Sequence, residues 1–195
     1  MAHDSLHDAT VTIRQLWLAD FGDLRQHLKR LDNDARHDRF GHAVGDEFID
    51  SYVDTAHRLG TTIFGAYVND VLRGVAELRS IDNGEPRAAE GALTVETEFQ
   101  NRGIGKALMA RLVEAARNRG FPSLYMICLK DNARMRHIAH SSGAKLSYEA
   151  GDVTGHLSPP LPSPATIFAE YLHETSDFVL AMFDHAKPRN EPEPS

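Results

Sequence analysis

Cysteine is almost absent: Cys128 stands alone in 195 residues. No disulfide can close within the chain, and no Cys/His spacing builds a zinc finger, so a cytoplasmic setting is the expectation. Long apolar runs are missing too, and nothing approaches the roughly 20 residues of a membrane span. The opening MAHDSLHDATVTIRQL has neither a basic nor an apolar stretch, so no secretory signal is expected there. Positive charge is in deficit, with 21 Lys and Arg against 28 Asp and Glu. That balance speaks against a nucleic-acid partner and mildly favours cationic ligands. No internal repeat is visible.

What is present is the composition of a soluble globular chain, 42% hydrophobic and 25% charged. VTIRQLW (11–17) alternates and is rich in β-branched residues, which predicts a strand. Asp20 is placed to cap a helix carrying Leu24, Leu28 and Leu31 on one face. A loop with Gly41 and Gly45 leads to a second helix at about 46–59. TTIFGAYV and VLRGVAELRSI, joined at Asn69-Asp70, form a β-hairpin pattern, and AAEGALTVE (88–96) is a further strand. A helix follows from about Gly103 to Arg119, ended by Gly120 and Pro122. SLYMICL (123–129) has the apolar run of a buried strand, 132–142 is helical, and KLSYEA and DVTGHLS close the sheet. The order predicts an α/β layered domain with a mixed sheet over 11–158. Beyond the proline-rich SPPLPSP, residues 165–186 are amphipathic, within a 159–187 appendage, and a disordered tail is expected at 188–195.

The chemistry gathers in FQNRGIGKALMARL (99–112), where two glycines and two cations meet a helix start. A dinucleotide fingerprint would need glycine at Leu108. A P-loop would need glycine at Gln100 and Ser or Thr at Ala107. What remains is general: bare backbone and unpaired helix N–H groups suit a pyrophosphate, with Arg102 and Lys106 adding charge. The plainer alternative is a glycine-softened helix cap with solvated cations.

The stretch resembles the acetyl-CoA loop of the GCN5-related N-acetyltransferases, Q/R-x-x-G-x-G/A, through Gln100, Gly103 and Gly105. The resemblance covers about residues 11–158, including the order of elements. AAE-x-A-x-x-V (88–95), KDNARMRHIAHSSGA (130–144) and LDNDARHDRF (31–40) resemble the bacterial Pat-type protein-lysine acetyltransferases in particular. The resemblance implies that the fourth and fifth strands part and hold the pantetheine arm, bonded by the backbone of Leu93, Thr94 and Val95. It places the pyrophosphate on the loop Asn101, Arg102, Gly103, Ile104, Gly105 and Lys106, with Asn132 touching the CoA arm.

Acetyl transfer to an amine then needs a proton acceptor and an oxyanion donor. The resemblance offers Glu90 as general base, and the backbone N–H of Val95 suits the oxyanion. Glu77 is the second choice of base, while Glu96 and Glu98 have the setting of loop surface. Two departures stand out. Ala139 occupies the place of a tyrosine that protonates the leaving thiolate in many members, and Ile127 that of a glutamate in one branch. Water or His140 is left for that proton. His137 and His140 have metal-ligand spacing without a third ligand, and no metal is expected. The expected activity is acetylation of a protein lysine. A small amine such as a polyamine, or a non-catalytic CoA-binding module, remains as the alternative. The C-terminal helix is expected to cover the domain's own surface or, as the favoured reading, to form a homodimer contact.

Overall fold

The computed structural model describes residues 11–56, 61–82, 84, 87–149 and 151–186, with 178–186 described by backbone alone. The expected tail at 188–195 and the end of the helix expected at 46–59 lie outside the described residues. In chain order the elements are β1 (Val11–Gln15), α1 (Phe21–Arg30), α2 (Asn33–Phe40), α3 (Asp46–Thr55), β2 (Thr61–Val68), β3 (Val71–Ile81) and β4 (Ala88–Val95). They continue with α4 (Ile104–Asn118), β5 (Ser123–Leu129), α5 (Ala133–Ser141), β6 (Lys145–Glu149), β7 (Asp152–Leu157) and α6 (Pro164–Ala186).

One mixed sheet of seven strands has the order β1-β2-β3-β4-β5-β7-β6. Every neighbouring pair is antiparallel except β4 and β5, which run parallel. The β2–β3 turn puts both Asn69 (φ 50°) and Asp70 (φ 62°) in the left-handed region, the primed turn whose twist suits a hairpin. On one face Leu108 and Leu112 of α4 pack with Phe64, Leu78, Leu124 and Met126. On the other, Leu24 and Leu28 of α1 and Ile49 and Val53 of α3 meet Tyr67, Leu72 and Val75. Truncating any fully buried leucine here to alanine costs about 2–5 kcal/mol.

Several expectations are corrected. Residues 33–40 form α2, which has no buried residue and therefore no apolar stripe to betray it. Its ends are nevertheless marked: Asp32 accepts from the Ala35 N–H, and Gly41 closes the helix at φ 75°. Asp20 makes no side-chain cap. Its carboxylate instead holds the buried Arg14 through two bonds of 2.8 and 2.9 Å and accepts from the Trp17 N–H, ending β1 at Gln15. β5 is covered on one face only: Leu124, Met126 and Cys128 are inside, whereas Ile127 is 57% exposed.

α6 docks on α4 and β1, and does so with its polar side. Arg119, just past the end of α4, binds Glu170 and Glu174, and Arg111 of α4 reaches Asp177 at 3.0 Å. Asp177 also accepts from the Gln15 N–H at 3.0 Å, and Asn118 donates to the Thr166 carbonyl. Ile167, Phe168, Tyr171 and Leu172 are left 49–63% exposed. Among the described side chains the apolar side of the helix does not face the domain.

Candidate active site

β4 and β5 share only three residue pairs, Ala88↔Ser123, Ala89↔Leu124 and Glu90↔Tyr125. Beyond them the strands part. The Glu96 N–H donates to the Arg73 carbonyl at 3.0 Å. By the two-residue period of an antiparallel ladder, Thr94 and Ala92 also bond toward β3. Gly91, Leu93 and Val95 consequently turn their N–H and C=O groups toward the gap. Part of that edge is taken up by Gln100, whose Nε2 donates to the Val95 carbonyl at 2.9 Å.

The loop after β4 folds through left-handed residues, Asn101 (φ 59°) and Gly103 (φ 84°), before α4 begins. The first backbone bond of α4 runs from the Ala107 N–H to the Gly103 carbonyl. The N–H groups of Ile104, Gly105 and Lys106 are thus aimed out of the helix end, with its partial positive charge. A Cβ at Gly105 would stand 2.8 Å from Ile138 Cδ1 of α5, so the end of that side chain would have to shift. A cavity of about 560 Å³ opens in front of this loop, between Leu93–Val95 on one side and α5 on the other. Its cradle of bare backbone, with Lys106 and Arg134 on its walls, fits a pyrophosphate and a narrow chain running into the strand gap.

The structure brings most of the expected residues to this cavity. Leu93, Thr94, Val95, Gln100, Asn101, Gly103, Gly105, Lys106 and Asn132 line it. Asn132 also caps α5, accepting from the Met135 N–H at 2.8 Å. Arg102 and Ile104 do not line it. Arg102 folds back to donate to the Glu98 carbonyl at 2.7 Å and lies over the Phe99 ring, and Ile104 is buried in the core. Arg39 and Asp38 of α2 and His137 and Arg134 of α5 are wall residues that sequence reasoning missed. The cap at Asp32 and the stop at Gly41 were the signal for that α2 wall. His140 is not on the wall, whereas His137 is. Ala139 is buried in the core against Gly155, which leaves no room for an aromatic ring at that position.

The carboxylates sort by environment. Glu90 sits at the last shared rung of β4 and β5, beside the cavity rather than in its wall, and accepts from Arg79 at 2.9 Å. That bond is the main cause raising the Arg79 pKa. Glu77 is buried with Arg39 at 3.0 Å and accepts from the Tyr52 hydroxyl. Burial, with Glu77 alongside, pushes the Tyr52 hydroxyl above its ordinary range. Glu77 is thus committed to a structural cluster.

Glu96 is corrected from loop surface to core. It is 7% exposed and takes bonds from Arg30 (2.9 Å), Arg73 (2.7 Å) and His27 Nδ1 (3.1 Å). Burial opposes its charge, but the hydrogen bonds from His27, Arg30 and Arg73 prevail and hold it down at about 2. His27 is wholly buried, and burial lowers its pKa against the upward pull of Glu96. A neutral ring donates from Nδ1 to Glu96 and accepts at Nε2 from the Thr94 hydroxyl, 2.9 Å away. α1 is thereby pinned to β4 just where the strand borders the cavity.

The family model for the acetyltransferase (GNAT) family matches residues 21–143, more than half of the chain. The chain belongs to the GNAT family. Like the expected fold, the observed one is that of GNAT proteins, and the chain is an N-acetyltransferase of that family. It is 28% identical over 145 residues to an acetyltransferase of Pseudomonas aeruginosa, covering 72% of this chain and 78% of that one. In fold it is similar to the GNAT domain of S. lividans PAT, with a TM-score of 0.65 at 17% identity, covering 80% of this chain and 99% of that one. It is also similar to yncA of Salmonella typhimurium, a putative acetyltransferase solved with its cofactor acetyl-CoA. There the TM-score is 0.62 at 20% identity, covering 78% and 96%.

Proposed function

We propose that this GNAT protein transfers the acetyl group of acetyl-CoA to a primary amine by direct attack in a ternary complex, with a protein lysine as the leading acceptor. The observation that carries the reading is the parting of β4 from β5 beside a left-handed loop and a bare helix start. The Salmonella protein, of similar fold, carries acetyl-CoA, which supports the same cosubstrate here. Residues 101–106 receive the pyrophosphate, principally through backbone N–H groups and Lys106. Leu93 and Val95 hold the pantetheine arm as a strand would, while the Thr94 backbone bonds toward β3 and its hydroxyl to His27.

The acceptor nitrogen attacks the thioester carbonyl carbon, and the Val95 N–H is the donor proposed for the developing oxyanion. Glu90 takes the amine proton through a water, since its carboxylate stands outside the cavity wall. The C–S bond breaks, and the thiolate takes a proton from solvent or from His137. The likeness to a PAT domain is one of fold at 17% identity, so the lysine reading rests on the sequence motifs. We further propose a cytoplasmic protein, with 11–158 as catalytic domain and 159–187 as an appendage whose outward face joins two copies. Among the described residues no helix is long and apolar enough to cross a membrane.

The test is acetyl-CoA turnover against a panel of lysine peptides and small amines, spermidine among them. Turnover on peptides alone supports the lysine reading. Turnover on polyamines alone replaces it with small-amine acetylation. Acetyl-CoA binding without turnover on any amine would make the protein a CoA-binding module.

A further inference from the structure

We infer that Asp38 is the residue that binds the positively charged amine end of the acceptor, at the inner end of the strand gap. The inference rests on the acetyl-CoA reading above and adds the acceptor side of the same site.

α2 lies along the cavity side of β4, tied at both ends. Near its start Thr97 Oγ1 donates to Asp32 Oδ2 at 2.6 Å. At its other end Arg39 pairs with Glu77, which stands opposite Ala92 in the β3–β4 ladder. α2 therefore runs from the level of Thr97 back toward Ala92, and Asp38, one residue before Arg39, lies near the latter. The cations suited to phosphate stand on other helices, Lys106 at the start of α4 and Arg134 at the start of α5, of which Arg134 is near enough to lower the Asp38 pKa.

Among the described residues Asp38 is the one carboxylate on the cavity wall. A carboxylate in a cavity suited to a polyanion repels that ligand unless it faces the part bearing no phosphate. The other acids nearby are already committed, Glu77 to Arg39 and Tyr52 and Glu90 to Arg79. Among the described residues no hydrogen bond or ion pair engages the Asp38 carboxylate. Partial burial pushes its pKa above the ordinary carboxylate value, with His37 and Arg134 opposing and Asp34 and Asp32 reinforcing the shift. A cation held there would relieve that cost.

An acceptor amine with a pKa of roughly 10.4 arrives charged at neutral pH, so it must be held as an ammonium before it loses its proton. The two carboxylates divide the work: Asp38 holds the cation and Glu90 takes the proton. The acceptor class is therefore a cationic primary amine, and a neutral nucleophile gains nothing from this wall.

The experiment compares wild type with Asp38→Asn, using spermidine and a single-lysine peptide as probes and isothermal titration of CoA as a control. Asp38→Asn is expected to raise the amine KM about tenfold or more, with kcat within about threefold and CoA affinity unchanged. Asp38→Glu should recover part of the loss. An unchanged KM overturns the inference, as does a fall in kcat alone, which would make Asp38 the proton acceptor. If CoA binds normally and neither probe is turned over, the inference falls while the cofactor reading stands. If CoA itself does not bind, the proposed function fails first and takes the inference with it.

Discussion

Glu90 of β4 and His27 of α1 illustrate how differently two titratable side chains beside one strand can matter. Glu90→Gln keeps shape and hydrogen bonding to Arg79 but cannot take a proton. Acetyl-CoA binding should persist while turnover falls about 10²–10⁴-fold, the usual range for loss of a general base. Near-normal turnover in the variant would move the proton to bulk water, because Glu77 is held by Arg39 and Tyr52. His27 acts through stability. Its folded pKa lies below its unfolded value, so below about 6.5 the unfolded chain binds a proton that the folded chain refuses. Stability must fall as pH drops through that range, by at most roughly 1.4 kcal/mol per pH unit from this one group. Glu96, held at about 2, adds its own loss from about 4.5 downward, as its stabilising charge is removed. Urea midpoints of His27→Gln measured between pH 7 and 5 should show a shallower slope than wild type. Equal slopes would mean that the ring is already protonated in the folded protein.

Among the elements, α6 carries the sharpest expectation. A helix that spends Glu170, Glu174 and Asp177 on its own domain leaves Phe168 and Tyr171 in water, more than 60% exposed each. Contiguous apolar area of that kind marks an association surface. The double substitution Phe168→Glu with Tyr171→Glu should convert a dimer to a monomer in sedimentation without lowering the melting temperature. Wild type that already sediments as a monomer at micromolar concentration ends the homodimer reading. Periodicity made α4, α6 and the hairpin legible, because each carries an apolar stripe or a turn signal in its residues. It missed α2, which offers the core only the half-buried Ala35 and Phe40 and buries no residue fully. It also misplaced Glu96, since three cationic or hydrogen-bonding partners distant in sequence are what bury it. The glycine loop was readable, but its division of labour was not. Only the fold shows Arg102 turned back on Glu98 while Asp38 and Arg134 arrive from other helices.

On the scale of the whole molecule, the sheet is two half-sheets joined by three rungs. A pantetheine arm in the gap would act as an eighth, borrowed strand and restore continuity between them. Saturating acetyl-CoA, at 100 times its dissociation constant, should raise stability by about 2.7 kcal/mol. Hydrogen exchange offers a finer signature of the same event. The amides of Leu93 and Val95 face the gap and should exchange quickly in the free protein, then slow on binding. The Thr94 amide, turned to β3, should be slow in both states. That alternation, residue by residue along a single strand, would tell a ligand that completes the sheet from one that merely tightens the protein everywhere.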